Sequence, residues 1–236
     1  MEIKTYKKNF EYSYALGIFP TVELISSKPE SVIKVLVSSN YRADSEMDIF
    51  ELCKKFNIKT EINDKAINKI SQKENCYDAG VFDKYNCELS EDSHIVLVNP
   101  GNMGNMGTII RTLTGFGLND LAIISPGVDI FDPKVIRASM GAIFRINFKY
   151  YDSFDNYSEK FRKHKFYPFM LKGAVSLKEV KRDDNESFSL IFGNEARGLD
   201  DSFSHIGTSV IIKHTDRIDS LNLTIAAGIA MYQFIS

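Results

Sequence analysis

A chain of 236 residues with a net charge of −2 and 44% hydrophobic residues is long enough for one large or two small domains. That charge excludes a wholly basic nucleic-acid binder, although a local basic patch suffices for phosphate contacts. No run of 18 apolar residues is present, so no membrane span is expected. The charged start, Met1 to Lys8, does not have the pattern of a signal peptide. Cys53, Cys76 and Cys87 are odd in number and lack metal-ligand spacing, so a reduced, cytoplasmic protein without a metal is expected.

Residues 1–85 alternate short elements. A helix is expected to begin within Thr21–Ile25 and a buried strand to run over Val32–Val37. A helix over Ser45–Phe56 has Ser45 as N-cap and Met47, Ile49, Phe50 and Cys53 at helical spacing. Ile58–Ile62 reads as a short strand and Asp64–Ser71 as a short helix. Lys4, Lys7, Lys8, Lys54, Lys55 and Lys59 give this part local positive charge, which for any single cluster a solvated mixed-charge surface explains better than a binding patch. The polar, weakly patterned stretch Lys84–Ser93 is the expected linker.

Residues 94–236 read as strands at Ile95–Val98, Leu121–Ser125, Phe144–Phe148, Phe166–Leu171, Leu190–Phe192 and Ser209–Ile212. Helices fall between them, most clearly over 105–116, 132–140 and 220–235. Strands alternating with helices imply a mostly parallel sheet with helices on both faces.

Three stretches carry chemistry. The first, Asn99 to Thr112, is a glycine-rich turn between a strand and a helix. Its glycines fall as G-x-x-G-x-x-G, which fits neither a dinucleotide fingerprint nor a P-loop. Asn105 stands six residues ahead of Arg111. Spacing alone leaves a capping Asn and a solvated Arg as an equal reading. Gly117 sits where a helix C-cap glycine would. In the second stretch, the strand Leu190–Phe192 runs into Gly193-Asn194-Glu195-Ala196-Arg197-Gly198-Leu199. Loops at the carboxyl ends of parallel strands are where such proteins bind ligands. Gly193 is expected to let a ligand approach the backbone, and Glu195 to hold a hydroxyl or cation, or else to cap the next turn. The third stretch, Ser220 to Ser236, has no charged residue. A helix apolar on nearly all sides is buried on nearly all sides, here against the core and against another subunit.

Taken in order, N-x-G-x-I-I-R-T, G-N-E-A-R-G-L and S-L-N-L-T-I-A-A closely resemble the three motifs of the SpoU (TrmH-like) RNA ribose methyltransferases of the SPOUT superfamily. Arg137 to Phe144 matches a fourth pattern of that family, and the resemblance spans 94–236. Residues 1–85 are similar to the small ribosomal-protein-like RNA-binding domain that precedes it in many members, with Asp78–Phe82 placed as a glycine-containing turn into the linker.

The resemblance implies an α/β fold with a C-terminal trefoil knot. It implies transfer of methyl from S-adenosylmethionine to a ribose 2′-hydroxyl of ribosomal RNA or tRNA, and a homodimer through the last helix. Carried over by motif, the catalytic set is Asn105, Arg111, Glu195, Ser220 and Asn222. The cofactor set is Phe192, Gly193, Asn194, Gly198, Ile212, Leu221 and Asn222. Two departures stand out. Ile212-Lys213-His214 replaces the usual Ile-Pro-Met, and a doubled Gly-Asn-Met offers Asn102 as well as Asn105 for the first motif. A non-enzymatic RNA-binding factor retaining the fold is the alternative, against which the intact Arg111, Glu195 and Asn222 weigh.

Overall fold

The computed structural model describes residues 1–43, 48–71, 75–172, 175–183 and 185–235. They form two compact units, Met1–Tyr85 with Asp129–Arg145, and Asn86–Val128 with Ile146–Ser236.

The first unit begins with β1 (Tyr12–Leu16), α1 (Ile18–Ser27), β2 (Val32–Val37), α2 (Ile49–Lys55), β3 (Thr60–Ile62), α3 (Asp64–Ile70) and β4 (Asp78–Asp83). The sheet order is β1-β4-β2-β3, with only β2 and β3 parallel. The turn expected at Asp78–Phe82 is instead the second strand of the sheet. Its run of small and apolar residues is buried, and Gly80 is small because α1 lies on it: a Cβ there would sit 2.6 Å from Leu24 Cδ2. Helix α1 starts at Ile18, directly after Gly17 (φ 93°), earlier than the apolar spacing indicated. Ser45 and Met47 lie outside the described residues. Asp48 caps α2, its side chain accepting from the Phe50 N–H.

Burial pushes the Asp78 carboxyl up to about 6, opposed by a hydrogen bond from Thr21. Its Oδ1 is buried without a hydrogen-bond partner among the described residues. A carboxyl raised above its unfolded value favours folding at low pH, and that advantage is lost as pH rises through the folded value. Asp78→Asn is therefore expected to stabilise this unit by about 1–3 kcal/mol at pH 7. The gain should shrink towards pH 4 in urea titrations. Equal midpoints for both proteins at pH 7 would contradict it.

The second unit continues with β5 (His94–Val98), α4 (Met103–Gly115) and β6 (Asp120–Ile124). The chain then returns to the first unit for α5 (Pro133–Ala138). There the Ser13 hydroxyl donates to Phe131 O at 2.5 Å, Phe82 and Phe144 rings meet edge-on at 5.2 Å, and Arg145 pairs with Glu23. The helix expected over 132–140 stops at Ala138, because Met140 (φ 53°) and Gly141 (φ 84°) are left-handed. The strand expected at Phe144 starts at Asn147, after a short 3₁₀ turn over Ala142–Arg145.

Then follow β7 (Asn147–Tyr151), α6 (Phe154–Lys160), β8 (Lys165–Pro168), β9 (Val175–Ser176), β10 (Phe188–Phe192), β11 (Val210–Ile211) and α7 (Leu223–Ile235). The main sheet has the order β7-β6-β5-β10-β8 and is wholly parallel, and β9 pairs with β11 separately. Strand side chains alternate between faces. Val96, Val98, Ala122, Ile124 and Ile191 join Phe154 and Tyr157 of α6 and Phe161 at its end in one core. On the opposite face Phe188 meets Phe234 of α7, with ring centroids 5.1 Å apart. Helix α7 also lies against α4, where Phe116 meets Tyr232 edge-on at 6.2 Å. The expected parallel sheet with helices on both faces is thus present in this unit. Among the described residues no helix is long and apolar enough to cross a membrane.

Candidate active site

Strand order reverses between β5 and β10, so the loops leaving their carboxyl ends diverge and open a crevice. These are the first- and second-motif loops. After β5, Asn102 caps α4: its Oδ1 accepts from the Asn105 N–H at 3.0 Å. This divides the labour of the doubled Gly-Asn-Met, since Asn105 is left free to turn its side chain elsewhere. At the far end of α4, Gly117 (φ 75°) donates to Thr114 O and the Leu118 N–H to Leu113 O, both at 3.1 Å. That pair closes the helix as the glycine position suggested.

After β10, the Glu195 carboxylate reaches across the crevice. It accepts from the N–H groups of Gly101 and Asn102, each at 3.1 Å, and from Asn105 Nδ2 at 3.2 Å. Burial acts to raise the Glu195 carboxyl, but its own backbone N–H together with these hydrogen bonds outweighs it and holds the group below its ordinary range. Asn194 works beside it. Its Nδ2 donates to Asn99 O at 2.8 Å, while its Oδ1 accepts from the Ala196 and Arg197 N–H groups.

The expectation for Gly193 changes. A Cβ there would lie 2.1 Å from the Gly198 carbonyl carbon. The residue's freedom is used by its own chain, which folds back through an Asn194–Gly198 bridge; Gly193 still faces the cavity.

A cavity of about 340 Å³ opens beside this turn, in the size range of small-molecule sites. Phe192, Gly193, Asn194, Gly198, Ile212 and Leu221 from the expected cofactor set all line it, with Glu195 and Ser220. Asn222 does not. It caps α7, its Oδ1 accepting from Thr224 N at 2.8 Å and Thr224 Oγ1 at 2.7 Å. Arg111 is exposed on α4, opposite the buried Ile109, Ile110 and Leu113, and makes no hydrogen bond or ion pair with a described residue. Glu195 therefore holds the first-motif backbone and Asn105 within the subunit, and does not hold Arg111.

Sequence reasoning did not single out Lys172 and Asp201, which also line the cavity, as does His214 at the position of the family's methionine. The His214 Nδ1 donates to Thr215 O at 2.9 Å. Nor did it single out Asn99, whose left-handed backbone (φ 51°) shows only in three dimensions. Among the described residues no group of three His, Cys, Asp or Glu could hold a metal.

The model of the SpoU rRNA Methylase family matches residues 92–232. A Listeria innocua protein, named provisionally as a tRNA (cytidine(34)-2′-O)-methyltransferase, is 32% identical over 145 residues, covering 60% of this chain and 85% of its own. The 23S rRNA (guanosine(2553)-2′-O)-methyltransferase of Bacillus subtilis is 24% identical over 216 residues, covering 89% of this chain and 84% of its own. The AdoMet-bound rRNA methyltransferase from Sinorhizobium meliloti has the same fold, with a TM-score of 0.79 at 22% identity over 95% of this chain and 87% of that one. The parallel-sheet unit, the crevice at its strand reversal and the match over 92–232 agree: this chain belongs to the SpoU rRNA Methylase family.

Proposed function

We propose that this protein is an S-adenosylmethionine-dependent RNA methyltransferase acting on a ribose 2′-hydroxyl of ribosomal RNA or tRNA. The observation that carries the reading is the Glu195 carboxylate. It fastens the first-motif turn to the second-motif loop at the mouth of a cavity that the third motif also lines. Family membership and the two named relatives support the same chemistry.

The cavity fits the cofactor in kind. Phe169, Phe192, Val210, Ile212 and Leu221 offer an apolar surface for a purine, and Lys172 and Asp201 offer opposite charges for the amino-acid end. When bound, S-adenosylmethionine supplies a methyl group already activated on a sulfonium. The chain's work is then to align a ribose hydroxyl and ease the loss of its proton. In this reading Asn105, Arg111, Glu195, Ser220 and Asn222 form the catalytic set. Phe192, Gly193, Asn194, Gly198, Ile212 and Leu221, which line the cavity, hold the cofactor, and Asn222, first placed with them, lies outside the lining. Arg111 is assigned to an RNA phosphate, since a guanidinium with a pKa above about 12 is a poor base and a good bidentate phosphate ligand.

Four further features belong to the proposal. The segment leading into α7 threads a loop to form a trefoil knot. Residues 1–85 select the RNA, and the protein acts in the cytoplasm. The subunits pair through α7. Support for pairing comes from a stripe of Ile225 (54% exposed), Ile229 (41%) and Tyr232 (63%) on a helix without charge. Solvent-facing apolar stripes of this kind mark contacts between proteins. Met231 of the same helix is fully buried within the subunit and faces away from this stripe. A uniformly apolar helix gives no phase from which to choose its outer face. Ile229→Asp is therefore expected to give folded monomers by light scattering, and an unchanged dimer would refute the interface.

The activity is tested by incubating the protein with methyl-labelled S-adenosylmethionine and total RNA from cells lacking the gene. Label should enter ribose. Cofactor binding without any transfer would favour the non-enzymatic alternative.

A further inference from the structure

Asn99 carries a side chain in a conformation that its neighbour in sequence opposes. Its φ is 51°, in the left-handed region, where only glycine sits without penalty and asparagine is tolerated. It also precedes Pro100, and a residue before proline is driven towards extended backbone. Such a conformation persists only where its surroundings impose it.

The surroundings are specific. The Asn99 N–H donates to Ile124 O at 3.0 Å, continuing the β5–β6 ladder past the end of both strands. Its side-chain Nδ2 donates to Ser125 O at 2.8 Å, and two more carbonyls, Ile124 O at 3.4 Å and Pro126 O at 3.5 Å, crowd the same nitrogen. Its own carbonyl accepts from Asn194 Nδ2 at 2.8 Å. One residue thus grips the loop after β6 with its side chain and the loop after β10 with its backbone. The turn of the first motif starts at the next residue, with Gly101 and Asn102 held by Glu195.

We infer that Asn99 is a positioning residue for methyl transfer: its side-chain amide locks a left-handed turn that aims the first-motif helix, carrying Asn105 and Arg111, at the second-motif loop. This rests on the proposed reading of the site. The first-motif residues do not line the cavity, so disturbing their aim should affect transfer and leave cofactor binding in place.

Substitutions separate the side chain from the backbone. Asn99→Gly keeps the left-handed conformation and removes only the amide. Asn99→Asp keeps the shape but sets a carboxylate oxygen against three carbonyls. The measurements are binding of S-adenosylmethionine by calorimetry, and kcat and KM for it with total RNA from cells lacking the gene. Asn99→Gly is expected to lose about tenfold in kcat, with S-adenosylmethionine affinity within about threefold of the parent, and Asn99→Asp to lose more. A Gly variant with parental kcat would show that the amide positions nothing. A Gly variant that fails to fold, or whose loss of rate follows lost cofactor affinity, would assign Asn99 a structural role instead. If the parent protein itself neither binds S-adenosylmethionine nor transfers methyl, the underlying reading fails, and the Asn99 inference falls with it by a result distinct from the other two.

Discussion

Arg111→Ala should lower methyl transfer by at least about a hundredfold while leaving fold, oligomeric state and S-adenosylmethionine affinity unchanged. The expectation follows from what Arg111 does not do within one subunit. It is exposed on the third turn of α4, makes no hydrogen bond or ion pair with a described residue, and does not line the cavity. Its removal should therefore change stability by no more than about 0.5 kcal/mol, as for a solvated surface residue. Catalysis is a separate matter. A group that positions a reacting strand is felt on the scale of two to three powers of ten. Arg111→Lys should fail as well, because an ammonium cannot reproduce the paired hydrogen bonds of a guanidinium on phosphate. Single-turnover transfer to RNA, with a melting curve and light scattering on the same sample, decides it. A folded Arg111→Ala that transfers methyl at the parental rate would make this arginine a surface residue and nothing more.

The second large effect is on stability. At the amino-terminal end of the parallel sheet, His94 and His164 lie in the core with ring centroids 4.6 Å apart. Ser90 O can only accept, so the His94 Nε2 beside it at 3.1 Å carries the hydrogen. The neutral ring's Nδ1 then accepts from the Tyr157 hydroxyl at 2.8 Å. Tyr157 Oη accepts from Ser189 Oγ at 2.7 Å, and Ser189 accepts from His164 Nδ1 at 2.9 Å. This run of hydrogen bonds ties β5, α6, β10 and the turn before β8, and it requires the His94 imidazole to be neutral, since its Nδ1 accepts.

Burial, reinforced by the neighbouring His164, pushes His94 down to about 4; Asp120, Asp92 and the Ser90 carbonyl pull the other way. Burial lowers His164 too, against Glu91, Asp120 and Asp92. A histidine whose folded value is depressed leaves the unfolded chain binding more protons, so stability is full above about pH 6.5 and drains away as pH falls towards the folded value. The second unit should lose about 2 kcal/mol between pH 7 and pH 5, before ordinary carboxylates titrate. Asp78 in the first unit acts with the opposite sign in the same window, so the measurement belongs in an Asp78→Asn background. Urea midpoints that do not move over that range, or that move equally after both histidines are replaced by Gln, would remove the histidine pair as the cause.

Much of this protein was legible as a string of residues. Buried strands such as Ile95–Val98 are short apolar runs, and the caps and the Gly117 stop obey local rules that need no neighbours. The three motifs likewise marked out the loops that form the site, because glycine, Asn and Glu at a strand end have few local reasons to occur together. Elements whose identity depends on remote partners were less legible. Asp78–Asp83 carries a glycine that suggests a turn, and becomes a strand because β1 and β2 pair with it on either side, while Gly80 leaves room for α1. Residues Asp129–Arg145 lie between second-unit segments in sequence and belong to the first unit through Ser13, Phe82 and Glu23. In α7 the sequence determined an uncharged helix, and only packing decided that Met231 points inward while Ile229 and Tyr232 point out. In the site it determined Glu195, and tertiary structure decided its partners: the N–H groups of Gly101 and Asn102 lie more than 90 residues away, and no local pattern specifies a hydrogen bond across that separation.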